Sequence, residues 1–200
     1  MTQDFDKQLK KQAAIKGVIL GLILGVLGIL SFYFMTTMAT SFIMIIGGPF
    51  VLSIIIPIIL GALFCVDLRK SVGGFWNFKQ AVTGIFVMFF LSLVMSFLIR
   101  DMLFAKVIEP NMVEKTQTAM VNAVTNMLEK SSASQADIDK KIDEMEKQLN
   151  EQKNASIGKQ IQSFAVSIIF VFVISLVFAI IFKKERPLYM NDVLDGDPIV

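Results

Sequence analysis

The chain has no histidine and a single cysteine, Cys65, in 200 residues. Without histidine there is no imidazole base, no His-based triad and no His metal site. One cysteine rules out an intrachain disulfide and any Cys cluster for zinc or iron–sulfur. Cys65 lies at the end of an apolar run, where a small apolar side chain serves packing. Charge is missing in four long stretches: 17–35, 42–66, 81–99 and 164–182 contain no Asp, Glu, Lys, Arg or His. About 19 residues at 1.5 Å rise reach roughly 28 Å as a helix, close to the ~30 Å hydrocarbon core of a bilayer. Each run is long enough to span a membrane, and none offers the intramembrane ionisable group that marks a proton relay or ion path.

Hydrophobic residues make up 54% of the chain and charged residues 18%, the latter gathered between the runs. The mean hydropathy of +0.66 agrees with a membrane protein. No hydrophilic part is large enough for a sizeable core of its own, which argues against a buried soluble active site. Net charge is only +2, with the basic residues at the run borders. Nucleic acid is therefore a poor partner and the lipid bilayer the natural one. No cofactor or metal is expected, and no enzyme activity.

The fold class that follows is an all-α integral membrane protein. It has four transmembrane helices and an extracytoplasmic antiparallel helical hairpin between the third and fourth. Lys7, Lys10, Lys11 and Lys16 precede the first run, which exceeds a signal-peptide core and reads as an uncleaved signal anchor. Arg69, Lys70 and Lys79 lie in the second loop and Lys183, Lys184 and Arg186 follow the last run, while the loop 36–41 has no charge. The positive-inside rule then makes residues 1–16, the loop 67–80 and the tail 183–200 cytoplasmic. The insert 101–162 falls outside, since long segments translocate largely regardless of charge. The expected location is a bacterial inner membrane.

Small residues mark the first span. Ala13, Gly17, Gly21 and Gly25 recur every four positions, with Gly28 close behind. Such a stripe lets another backbone approach, either a neighbouring span of the same chain or a second copy. The second run is interrupted by Gly47, Gly48, Pro49 and Pro57. Pro49 suits a first helical turn, so this span can begin there and cover 49–66, and Pro57 predicts a kink. In the second loop, Gly73-Gly74 suits a tight turn, and Phe75, Trp76 and Phe78 suit a headgroup interface. Asn77 with Gln80 reads as a capping box opening the third span. Met88, Met95 and Met102 share a helix face and read as apolar filler.

The insert reads as two amphipathic helices. Pro110 suits a helix start, after which Val113, Met120, Val124, Met127 and Leu128 fall on one face. Ser131, Ser132 and Ser134 break the pattern. Ile138, Ile142, Met145 and Leu149 then form a second seam, with i,i+4 pairs such as Lys140 with Glu144 on the other face. The seams can satisfy each other or dock an extracytoplasmic protein or a second copy. The Asn154-Ala-Ser156 sequon matters only in a secretory pathway.

Taken in order, Gly73-Gly-Phe-Trp-Asn-Phe-Lys-Gln-Ala81, the Ile108-Glu-Pro110 entry to the insert and the ending Phe182-Lys-Lys-Glu-Arg-Pro187 resemble domain-of-unknown-function family 4199. The resemblance covers nearly the whole chain. It implies a small four-span protein of the bacterial inner membrane, chiefly from Bacteroidetes, and supplies no activity or site residues. The functional expectation is a non-enzymatic assembly or interaction protein acting through the outer hairpin; the alternative is a small transporter or channel subunit, suggested by Pro57 and the Gly47-Gly48-Pro49 break.

Overall fold

The computed structural model describes residues 2–39, 41–130, 135–153 and 157–185. Among these the chain is helical and has no strand. The helices are α1 (Thr2–Tyr33), α2 (Phe42–Phe50), α3 (Ile56–Ser71), α4 (Phe78–Phe97), α5 (Met112–Lys130), α6 (Gln135–Lys153) and α7 (Ile157–Phe182). Three π-helical segments extend or join them: Phe34–Met38 after α1, Val51–Ile55 between α2 and α3, and Leu98–Ile108 after α4. Four of the resulting helices are long and apolar enough to cross a membrane: Asp4–Met38, Phe42–Ser71, Phe78–Ile108 and Ile161–Phe182, called spans 1 to 4 below. They overrun the charge-free runs because helical hydrogen bonding continues past the last apolar residue into the polar flanks. The second loop accordingly shrinks to 72–77, and the third helix carries Arg100 and Asp101 onward to Ile108.

Span 2 does not begin at Pro49. Ser41 caps the helix, its hydroxyl accepting from the Met44 amide at 3.4 Å, and Pro49 lies inside α2. The apolar residues 42–48 have no other way to satisfy their backbone in lipid, so helix continues through the proline, which gives up one bond. Ahead of Pro57, the Ile56 amide reaches back five residues to the Val51 carbonyl. This π turn absorbs the register lost to the missing proline N–H.

The short loop is tied to the end of span 4. Gly73 and Gly74 have φ of +101° and +81°, the left-handed conformation that glycine tolerates best. Asn77 and Gln80 form the expected capping box at the start of α4. Trp76, however, is no headgroup anchor: only 2% of its surface is exposed. Its indole N–H donates to the Phe182 carbonyl at 2.9 Å, and the Trp76 and Lys184 backbones pair at 2.9 and 3.3 Å. Arg69 also donates to the Phe182 carbonyl, at 3.3 Å. The orphan carbonyls at a helix C-terminus attract such donors, and an indole N–H that finds one can be buried whole. Phe78 does remain exposed.

Spans 1 and 3 form the centre of the bundle. A Cβ added at Gly17 would lie 2.5 Å from the Met88 carbonyl oxygen, and one at Gly21 2.5 Å from Met95 Cβ and 2.8 Å from the Ser92 carbonyl oxygen. The glycine stripe thus lies directly on span 3 of the same chain. Gly25 meets Ile99 and Gly28 meets the Arg100 side chain. On the opposite face of span 1, Ile15, Ile19, Leu22, Val26 and Leu30 are exposed at helical spacing. Only 11% of the most apolar stretch of span 2, and of span 4, is buried, against 28% for spans 1 and 3. Four helices that expose this much apolar surface need lipid as their solvent.

Candidate functional site

The two ends of the bundle are packed differently, and the site arises from that difference. Around Trp76 the spans converge on Leu9, Ala13, Cys65, Leu68, Ile85 and Ala179, all essentially without solvent exposure. Leu9 packs beneath Gly84, and Phe89 sits edge-on to Phe178 with ring centroids 5.2 Å apart. Gly61 of span 2 faces both of these rings. Lys16 and Asp67 form an ion pair near this end. Buried hydroxyls are satisfied locally: Ser92 donates to the Phe89 carbonyl and Ser175 to the Val171 carbonyl.

Towards Pro110 the bundle opens. A cavity of about 1300 Å³ lies among all four spans, with walls that include Leu24, Leu52, Pro57, Leu93, Phe97 and Phe164. Its volume exceeds the roughly 300–1,000 Å³ of ordinary small-molecule pockets. Ser53, Ser96, Ser163 and Ser167 add hydroxyls to this lining. Ser53 donates to Ser31 at 3.3 Å, which ties span 2 to span 1 beside the cavity. Gly25 and Gly28 of span 1 also border it, with Ile99 and the Arg100 side chain of span 3 lying against them.

Charge lies on the Pro110 side of the cavity. Among the described residues its charged lining is Arg100, Lys106, Lys159 and Asp101. Arg100 Nε stands 3.5 Å from Asp101 Oδ2, and half of the Arg100 side chain is exposed. That separation is too long for a strong charge-assisted hydrogen bond. Arg100 occurs where α4 passes into the π-helical stretch, which ends with the Glu109 amide bonded to the Phe104 carbonyl at 2.8 Å. Phe104 is buried against Phe32 and Tyr33, with centroids 5.5 and 5.7 Å away. This aromatic cluster holds the extension of span 3 against the end of span 1.

The residues singled out on α5 and α6 are distributed as follows. Asn111, Glu114, Lys115, Thr118 and Asn122 border a second cavity of about 500 Å³ against Phe32, Tyr33, Thr36 and Thr37. This is the polar side of α5. Val113, Met120 and Met127 are exposed, while Val124 and Leu128 are half-buried. On α6, Ile138 is buried and Ile142 and Met145 are half-buried; Leu149 also belongs to this helix. The structure brings α5 and α6 into contact, and α5 also touches α2 and the π-helical end of span 1. Lys141 pairs with Glu144 at 3.3 Å, an i,i+3 pairing. The Ser131–Ser134 break, the Asn154-Ala-Ser156 sequon and the tail beyond residue 185 lie outside the described residues.

Among the described residues no three of Cys, Asp and Glu gather where they could hold a metal ion. The sequence reading missed the cavity. Its lining comes from separate stretches of chain, so no local pattern brings these serines and cations together. Met88 and Met95 do pack against span 1, whereas Met102 lines the cavity instead.

Residues 19–184 match the family model described as "Protein of unknown function (DUF4199)". That is most of the chain, and it belongs to this family. No curated protein and no solved structure matches it.

Proposed function

We propose that this family member is a non-enzymatic ligand-binding membrane protein of the transporter-subunit class, taking its ligand into the four-span cavity from the Pro110 side. The observation that carries this reading is the unequal closure of spans 2 and 4. They are held together around Gly61 and Phe178 and both line the 1300 Å³ cavity beyond. Pro57 and the π turn before it lie on that wall, where irregular backbone is tolerated because it borders a cavity. The charge-free runs within the spans and the lack of histidine favour binding over catalysis.

The lysines around residues 7–16 and the pair at 183–184 support an orientation with both termini cytoplasmic, in a bacterial inner membrane. The cavity and the α5–α6 pair, read as an antiparallel hairpin, then lie on the outer side. The test is cysteine accessibility in purified protein in mild detergent, with Cys65→Ala as background. Ser96→Cys and Ser167→Cys, on the cavity, should react with a water-soluble maleimide, while Ser92→Cys, against span 1, should stay protected. Reaction of Ser96→Cys only after denaturation would overturn the reading.

A second reading rests on Val113, Met120 and Met127, which leave an exposed apolar strip on α5. It makes α5 and α6 an assembly element for an extracytoplasmic protein or a second copy. Crosslinking from Met120→Cys in native membranes should then give protein adducts; lipid adducts alone would count against it.

A further inference from the structure

We infer that the first half of span 2, residues 42–55, is a gate that swings about the π turn and Pro57 to close the cavity against span 4. This rests on the cavity reading above and adds how the cavity opens and shuts. Its first support is that the two halves of span 2 have different partners. The second half is seated in the sealed end: Gly61, Cys65 and Leu68 are buried, and α3 touches α1, α4 and α7. A Cβ at Gly61 would stand 3.3 Å from the Phe89 ring and 3.6 Å from that of Phe178. The first half rests instead on span 1, its π-helical end and α5, and Ile45 is the only buried residue of α2. Gly48 lies on the Phe34 ring, while the space around Gly47 is open. The Ser53–Ser31 bond of 3.3 Å is longer than the roughly 2.5–3.0 Å usual between hydroxyls, so it makes a weak tie.

The second support is the backbone between the halves. Pro49 and Pro57 have no N–H, so the helix forgoes a bond at each. The Val51 amide is shared between the Gly47 and Gly48 carbonyls, and the Ile56 amide reaches back to Val51. A helix bends where its ladder is broken or shifted, and a hinge needs only a few such residues. The third is position. Leu52, Ser53 and Pro57 supply the span 2 wall of the cavity, and Ser163, Phe164 and Ser167 the span 4 wall, so bending at the join changes the gap between them. From Ile56 to Ile43 the helix runs roughly 20 Å, and a change in bend of about 20° carries Ile43 by about 7 Å. Ile43, Ile46, Phe50 and Ile54 are exposed. Lipid solvates them alike in either position, so the swing sacrifices little burial. Since α5 packs on α2, the placement of the insert bears directly on the gate.

The experiment measures distances between spin labels by pulsed electron paramagnetic resonance, on the full-length Cys65→Ala protein in phosphatidylcholine nanodiscs. One pair, Ile43→Cys with Val166→Cys, joins the first half of span 2 to span 4. The other, Leu63→Cys with Ile180→Cys, joins the same spans at the sealed end; all four positions are exposed. The first pair should give two distances about 7 Å apart, and the second a single narrow one. Pro57→Leu, which returns the missing N–H, should merge the two distances into one. If that variant does not fold, Ser53→Ala, which frees the gate from Ser31, should shift the two populations about threefold towards the shorter distance. A first pair as narrow as the second would overturn the gate, and so would two distances that neither substitution alters. Labelling of Ser96→Cys reads the cavity separately. Fast labelling beside a rigid first pair removes the gate and leaves the cavity reading standing, whereas labelling only after denaturation removes both.

Discussion

The Trp76 end and the Pro110 end of the bundle are built from the same four helices, yet one is sealed and the other holds a cavity of about 1300 Å³. Residue size accounts for much of the contrast. At the Trp76 end large side chains fill the gaps left by small ones: Leu9 occupies the space beside Gly84, Phe89 and Phe178 that beside Gly61, and Trp76 closes the base. At the other end Gly25 and Gly28 are faced by Ile99 and a flexible arginine, and serines occupy positions that would need leucine or phenylalanine to fill the volume. In lipid, helices associate through close packing rather than through hydrophobic burial, so an unfilled volume between them is open to lipid or ligand. The backbone differs as well: two of the π-helical segments, Phe34–Met38 and Leu98–Ile108, lie at the Pro110 end, and the third lines the cavity's span 2 side. Such segments concentrate at functional sites.

Five substitutions, one of them a control, sharpen this comparison. The largest effect is expected on the glycine stripe, where span 1 lies directly on span 3. Gly21→Val forces a side chain onto the Ser92 carbonyl and Met95 Cβ, positions that cannot yield without moving span 3. It should cost about 3 kcal/mol or more, read as a lowered midpoint of detergent-induced unfolding. Gly47→Ala, whose added carbon meets nothing within 4 Å, should stay within about 0.5 kcal/mol of the parent and serves as its control. Equal effects from both would mean that the stripe does not hold span 1 to span 3.

Next comes the latch. Trp76→Phe removes the indole donor to the Phe182 carbonyl and should lower stability by about 1–2 kcal/mol, in part because the larger indole also fills the core. Unfolding followed by circular dichroism would measure it. At the cavity, Ser53→Ala breaks the 3.3 Å bond to Ser31. The expected loss is only about 0.6 kcal/mol; a loss as large as that of Trp76→Phe would mean that the open half is as tightly braced as the sealed one. The smallest effect belongs to Asp67→Asn. Asp67 is mostly exposed, so its ion pair with Lys16 should be worth only about 0.2–0.5 kcal/mol and fade further in salt.

Some of this structure was legible in the residues and some was not. The capping box at Asn77 and Gln80 and the turn at Gly73-Gly74 are local, so the chain spells them out within a few positions. The start of span 2 stayed open between residue 42 and Pro49, because Pro49 is compatible both with a first turn and with an interior position once lipid leaves the backbone no alternative to helix. Trp76 misled for a related reason. An aromatic beside lysines suits a headgroup interface, and nothing near it in sequence reveals that the Phe182 carbonyl, 106 residues away, awaits its N–H. Gly48 gave no signal of its own, although a Cβ there would fall within 2.0 Å of the Phe34 ring.

The sequence by itself determined that this is an all-helical chain with four helices able to cross a membrane, because the cost of placing a segment in lipid is a sum over that segment's own residues. It determined the glycine stripe as well, but not what lies on it. Only the tertiary structure decided that span 3 of the same chain covers Gly17 and Gly21, that Trp76 is a buried latch, and that serines and cations from distant stretches line one cavity. Lipid does not distinguish one leucine face from another, so which helices meet, and where they part, depends on how their shapes fit together.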